Sequence, residues 1–250
     1  ANTKHPSLLH LTSDWVEGPD GKPTLLRGIA NLNRIIVPLQ PEPLEYLEPD
    51  HLIWCRSGKY YLHDTSGQLL TSQGYDYISS KWVNHHLIYT DDSLQGFLDA
   101  EGSAITPAEY RIEGFTPNES TTQRRSNHIL PHGLVVYHTT TNGYNAFSQD
   151  RFLLEHDADS VYQDPRSSIP LVFTFKNRRG RWTKTTMMID QQAVSIRRVG
   201  SIRLYPDEQI LSITTDSISY FYQFSGQLLW QYPKSQNPWI YDVGDGYYIV

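Results

Sequence analysis

Ten histidines, one cysteine and 27 acidic residues are the groups through which this 250-residue chain could do chemistry. His85 and His86 are neighbours, and on an extended strand neighbours point to opposite faces, so the two cannot chelate one ion. His128 and His132 stand four apart, which is a zinc spacing only on a helix, and Pro131 between them opposes a helix. Cys55 is alone, which excludes an internal disulfide and a zinc site built on thiolates. No G-x-S-x-G, Walker A, H-E-x-x-H or G-x-G-x-x-G is present, and nothing around Cys55 marks a nucleophile. The expectation is no catalytic residue, no metal and no cofactor. Carboxylates gathered from separate parts of the chain, as in propeller glycosidases, need no local motif and stay open as an alternative.

Charge is the stronger signal. Glu42, Glu45, Glu48 and Asp50 lie in PLQPEPLEYLEPD, residues 38–50, read as a proline-bounded loop with one helical turn around Leu44 to Leu47, presenting carboxylates on one exposed face. Asp91 and Asp92 form a second acidic pair able to meet a basic partner. These six are the expected partner-binding residues. Residues 1–110 hold seven Lys/Arg against fourteen Asp/Glu, a balance of −7, whereas residues 151–200 hold nine against five, or +4. The net charge of −6 disfavours nucleic acid and suits a basic protein. The basic run KNRRGRWTK, Lys176 to Lys184, has the look of a nucleic-acid patch because Arg178, Arg179 and Arg181 interleave with Trp182. It reads more simply as a solvated hairpin turn around Gly180.

The elements that must carry these residues are strands. Seventeen Tyr, eight Phe and six Trp supply an aromatic core. SGKYYLHDTSGQLLTSQGYDY (57–77) and LQGFLDAEGSAITPAEY (94–110) each run from an apolar strand through Asp, two residues and Gly into a second strand, then reach Tyr eight residues past the Gly. Asp closes such a turn through its side chain and Gly takes the positive-φ position, so the unit is a β-hairpin and Asp64 and Asp99 are turn residues, not catalytic carboxylates. SGQLL recurs at 225–229, and weaker copies lie at 142–157 and 185–196. The anchors Gly21, Gly67, Gly102, Asp150, Gln191 and Gly226 are 46, 35, 48, 41 and 35 residues apart. Each interval leaves room for two more strands, such as 82–90, 134–140, 171–176 and 210–215. Four strands in about forty residues is the arithmetic of a propeller blade. The polar stretches 38–50, 116–127 and 157–170 are expected as loops on one rim.

The two clearest copies resemble the WG repeat of bacterial proteins. In the first, Gly58, Tyr60, Tyr61, Leu62, His63, Asp64, Gly67, Leu70, Tyr75 and Asp76 follow its pattern. In the second, Gln95, Gly96, Phe97, Leu98, Asp99, Gly102, Ile105, Thr106, Pro107 and Tyr110 do. The repeat's Trp is replaced by Tyr60 and Gln95, and its following Gly survives as Gly96. The resemblance implies a protein of a kind found beside bacterial secreted toxins, where similar chains look like cognate immunity proteins.

The expected fold is therefore all-β, a single propeller domain over residues 1–250 with about six blades of four antiparallel strands. The expected function is non-enzymatic binding of a cognate toxin with a basic surface. The alternatives are a carbohydrate-binding or glycoside-processing propeller and an envelope scaffold. No run approaches the roughly 20 apolar residues of a membrane span, and ANTKHPSLLHLT has neither a basic n-region nor a long apolar h-region. A soluble chain is expected, and cytoplasm and periplasm are both open.

Overall fold

The computed structural model describes residues 8–18, 21–83, 85–112, 134–148, 150–162, 171–177, 179–189, 192–236, 240–242 and 247–249. All its regular structure is β apart from one 3-10 turn, Lys234–Gln236. The chain divides into two compact units, which meet in sequence at Tyr110 and Arg111.

In the first unit three antiparallel meanders follow one another. Meander I is β1 (Leu9–Glu17), β2 (Pro23–Ala30) and β3 (Ile35–Gln40). Meander II is β4 (Leu44–Leu47), β5 (His51–Arg56) and β6 (Lys59–Asp64). Meander III is β7 (Tyr77–Ile78), β8 (Leu87–Asp91), β9 (Leu94–Leu98) and the start of β10 (Tyr110–Ile112). The second unit repeats the plan. Meander IV is β11 (Leu134–His138), β12 (Gly143–Ser148) and β13 (Arg151–Phe152), and β10, whose Arg111 and Ile112 belong to this unit, is hydrogen-bonded beside β11. Meander V is β14 (Ser160–Tyr162), β15 (Leu171–Lys176), β16 (Trp182–Ile189) and β17 (Gln192–Ile196). Meander VI is β18 (Ser201–Tyr205), β19 (Ile210–Thr214), β20 (Ile218–Gln223) and β21 (Leu228–Pro233). A short pair, β22 (Ile240–Asp242) with β23 (Tyr247–Ile249), follows.

The sequence repeat is a repeat of hydrogen bonds. Asp64 N donates to Gln68 O and Gly67 N to Asp64 O, both at 3.0 Å; Asp99 N donates to Ser103 O at 3.0 Å and Gly102 N to Asp99 O at 3.3 Å. The Asp64 carboxylate accepts from the backbone of Ser66 and Gln68, and that of Asp99 from Ser103 N. This is a type I turn closed by a residue in the left-handed region, and Gly67 and Gly102 hold φ of 87° and 81°. Beyond the turn the copies stay in step at a shift of 35. His63 bridges Leu69 as Leu98 bridges Ala104. Thr71 Oγ1 accepts from Leu62 N as Thr106 Oγ1 accepts from Phe97 N. Tyr75 pairs with Tyr60 as Tyr110 pairs with Gln95. The Gln223–Gln227 turn repeats the pattern around Gly226, φ 89°, and Asp150 stands at φ 62° in the place of a glycine.

Strand alternation explains the packing. Successive side chains point to opposite faces, so a strand apolar at every position is buried on both. On β5, Leu52 and Trp54 pack with Ile29 and Val37 of meander I, while Ile53 packs with Ile78, Leu87 and Leu98 of meander III. On β15, Leu171 and Phe173 meet Val135 and Ala146 of meander IV, while Val172 meets Leu211 and Ile213 of meander VI. Meanders thus stack face to face in chain order within each unit. The turn glycines are part of these seams: a Cβ on Gly102 would stand 2.8 Å from Leu70 C, and one on Gly67 2.9 Å from Ile36 Cγ2.

Several expectations need correction. Leu44–Leu47 is strand β4, not a helical turn, because Leu44 joins the seam with meander I and Leu47 the seam with meander III; a helical turn would put both leucines on one face. Gly21 closes β1 onto β2 and is out of phase with Gly67. Ile36 on β3 receives Gly67 as Leu70 receives Gly102, so the equivalent turn in meander I is the one before β3, where Asn31 Oδ1 caps Asn33 N and Arg34 N. Strand β8 starts only at Leu87, and His85 sits in a turn at φ 71°. The stretches 116–127 and 163–170, with Gln191, His128 and His132, lie outside the described residues.

Candidate functional site

The six acidic residues do not share one face. Strand β4 pairs Leu44 with Trp54 and Leu47 with His51, so it carries Glu42 and Glu48 to opposite ends of meander II. Four strand residues span roughly 13 Å. Glu42 is half-buried near Cys55, whose N donates to Pro43 O at 2.9 Å. Burial pushes the Cys55 thiol up, away from the thiolate that nucleophilic chemistry requires. Glu45 lies exposed in mid-strand, near Tyr60 and Tyr77, whose rings meet edge to face at 5.7 Å. Burial first, and the Glu45 charge second in the case of Tyr77, hold their hydroxyls above the usual range.

Glu48 and Asp50 flank the cis peptide bond Glu48–Pro49 in an exposed turn that aromatic groups hold from beneath. Tyr46 Oη donates to Pro49 O and Trp82 Nε1 to Glu48 O. Trp82 stands edge-on to His51 at 5.2 Å, and His51 Nε2 donates to Ala100 O at 2.8 Å. Burial, then the charges of Asp50 and Glu48, raise the Tyr46 hydroxyl, which keeps it a donor. The backbone is fixed while the two carboxylates face outward.

Asp91 and Asp92 are gathered with a residue that sequence reasoning left out of the site. Carboxylate oxygens of Asp76, Asp91 and Asp92 lie within 4.8 Å of one another. Lys59 Nζ sits 2.5 Å from Asp76 Oδ1 and 3.5 Å from Asp91 Oδ1, and Asp92 N donates to Asp76 Oδ2 at 2.9 Å. The Lys59 hydrogen bond, then the Asp92 N–H, hold the Asp76 carboxyl below its ordinary value, and the same hydrogen bond raises Lys59. A calcium site uses six to eight oxygens; here an ammonium already pairs with the carboxylates, so the arrangement is an ion-paired knot with two net negative charges. Asp76 ends the Tyr75-Asp76 step of the repeat, the signal that could have found it.

Two further constellations occur in the second unit. His138 Nδ1 lies 2.9 Å from Asp157 Oδ2, and Thr140 Oγ1 lies 3.0 Å from His138 Nε2, distances that suit a hydroxyl–imidazole–carboxylate relay. Asp157 also accepts from Thr141 and, at 2.8 Å, from Asn145 Nδ2. Burial raises its carboxyl, and hydrogen bonds from Thr141, Asn145 and His138 overcome this and leave it lowered. Because Thr140 and Thr141 belong to the β11–β12 turn, the network's evident work is to pin that turn to Asp157. The other constellation is a cleft of 680 Å³ lined by Tyr162, Ser201, Thr215, Asp216 and Lys234 among others.

No known family model and no curated protein matches the chain. Among solved structures it is similar to a eukaryotic initiation factor, at 10% identity and TM-score 0.30, with 91% of this chain and 75% of that one covered. It is also similar to Kluyveromyces lactis Hsv2p, at 12% identity and TM-score 0.29, with 77% and 63% covered. Likeness of this size carries no functional argument. Among the described residues no helix is long and apolar enough to cross a membrane.

Proposed function

We propose that the six meanders are blades of a β-propeller, and that the protein is a non-enzymatic binding module related to WG-repeat proteins. On this reading it neutralises a cognate bacterial toxin with a basic surface. The observation that carries the binding part is the clamped acidic turn. Glu48 and Asp50 project from a backbone fixed by Tyr46 and Trp82, so little ordering entropy is lost on association. Opposite charge then speeds encounter and fixes register. The Asp76–Asp91–Asp92 knot offers a second acidic point on the same unit. Support for the blade reading is the face-to-face succession of meanders, and support for the immunity reading is the repeat resemblance.

The test is co-expression with the product of the adjacent reading frame. The wild-type chain is expected to protect cells and to co-purify with that product. The pair Glu48→Lys with Asp50→Lys is expected to weaken binding at least roughly tenfold, the equivalent of 1.4 kcal/mol, while circular dichroism stays unchanged. Absence of both protection and co-purification with the wild type would sink the reading. A carbohydrate-binding alternative is favoured by one feature, the hydroxyl-lined cleft with Tyr162 at its edge. Calorimetric titration with neutral oligosaccharides, with Tyr162→Ala as control, decides it.

A further inference from the structure

The end of meander V where β15 turns into β16 is the opposite of the first unit in charge. Lys176, Arg179, Arg181 and Lys184 are all exposed there. Pairing of Thr185 with Ile196 continues past β17, where Thr185 Oγ1 donates to Arg198 O at 2.6 Å. The register therefore brings the exposed Arg197 and Arg198 alongside Thr183 and Lys184. Six cations occupy one end of a four-stranded sheet. Asp159 is close, but its Oδ2 accepts from Lys176 N at 2.6 Å. Among the described residues Arg179, Arg181, Lys184 and Arg197 form no ion pair.

The tip is rigid for the same reason as the turns of the first unit. Asn177 Oδ1 accepts from Arg179 N at 2.9 Å and Arg181 N at 3.0 Å, Gly180 N donates to Asn177 O at 2.8 Å, and Gly180 has φ 71°. Two cations are braced on rings: Lys184 Nζ lies 5.1 Å from the centre of Phe175, and the Arg198 guanidinium 4.9 Å from that of Tyr220. Such like charges would repel one another less in the presence of an anion, and nothing in the turn itself requires them, since Asn177 and Gly180 close it alone.

We propose that this basic end of meander V is a docking surface for a carboxylate-rich protein segment. Arginine forks take carboxylates in two parallel hydrogen bonds. Nucleic acid fits less well. Base stacking needs bare aromatic faces, whereas among the described side chains of this end Phe175 and Tyr220 already carry cations. The surface is independent of the acidic turns and selects a partner of the opposite sign.

The test is fluorescence anisotropy of a labelled ten-glutamate peptide against the full chain at about 50 mM salt, where screening is weak. Saturable binding is expected, weakened by roughly tenfold in the triple variant Arg179→Ala, Arg181→Ala, Lys184→Ala, and unchanged by Glu48→Ala with Asp50→Ala. Circular dichroism checks that the triple variant is folded. Absence of saturable binding, equal binding by the triple variant, or tighter binding of a ten-nucleotide oligouridine than of the peptide would each overturn the proposal.

Discussion

Residues 1–110 and 111–250 share one building plan and differ in charge. The first part holds seven Lys/Arg and fourteen Asp/Glu, the second fourteen and thirteen, so the balances are −7 and +1 and sum to the −6 of the whole. Both stack antiparallel meanders with apolar residues on both strand faces, so the core is blind to the difference. It shows in turns and at strand ends. In the first unit Glu48, Asp50 and Asp92 stand in turns and Asp91 ends β8, and in the second Arg179 and Arg181 lie in the turn between β15 and β16, with Lys176 ending β15. A scaffold whose seams are conserved in kind leaves the turn tips free to differ.

If seams and tips are separable in this way, substitutions should divide accordingly. The largest effect is expected from Gly102→Val. It places a β-branched residue at φ 81° and a Cβ 2.8 Å from Leu70 C, and should cost about 3 kcal/mol or more in urea unfolding; a loss under 1 kcal/mol would show that the seam yields. Next comes acid sensitivity. Burial holds His63 below its ordinary value, so the unfolded chain takes up the proton first. The stability tied to neutral His63 is complete above about pH 6.5 and is lost as pH falls toward the folded-state value, at no more than about 1.4 kcal/mol per pH unit. Asp157 is lowered too, and its contribution is intact above about pH 3.9 and lost only below that. Denaturation midpoints from pH 7 to 3 should therefore fall early in wild type and flatten between pH 6.5 and 5 in His63→Asn, while Asp157→Asn removes only the most acidic part of the slope.

Gly180→Ala sharpens the comparison from the other side. It has φ 71° but nothing within 4 Å of its Cβ position, so only the left-handed backbone cost of about 1 kcal/mol is expected. A cost near that of Gly102→Val would mean that the tip is as constrained as the seam. Smallest of all, Glu48→Lys with Asp50→Lys should move stability by no more than about 0.5 kcal/mol, as both side chains are exposed.

What could be read in the residues beforehand was whatever is local. Asp, two residues and Gly specify a turn without reference to the rest of the chain, so Asp64, Gly67, Asp99 and Gly102 were legible, as was the Tyr that follows each. Phase is harder: a turn glycine does not announce which strands it joins, and Gly21 closes the turn one before the equivalent of Gly67. Leu44 and Leu47 are three apart, which fits a helix, and only the pairing with β5 makes them strand residues serving two different seams. The knot of Asp76 with Lys59 needs the end of one meander to meet the next, which spacing does not encode. For the same reason the acidic run 42–50 looked like one surface, although β4 divides it.

The constant shift of 35 residues between the first two clear copies has a consequence for how such a chain can grow. Gly67, Gly102 and Gly226 seat against Ile36, Leu70 and Val194 of the preceding repeats, so a duplicated 35-residue segment brings both a seat and the residue that fills it. Insertion of such a segment between two copies would extend the series while preserving which side chains face the seams. The connecting segments absorb small differences in length, since Ile36 and Leu70, which receive successive glycines, stand 34 residues apart by their numbers. A chain built this way can be lengthened by duplication without the redesign of any seam.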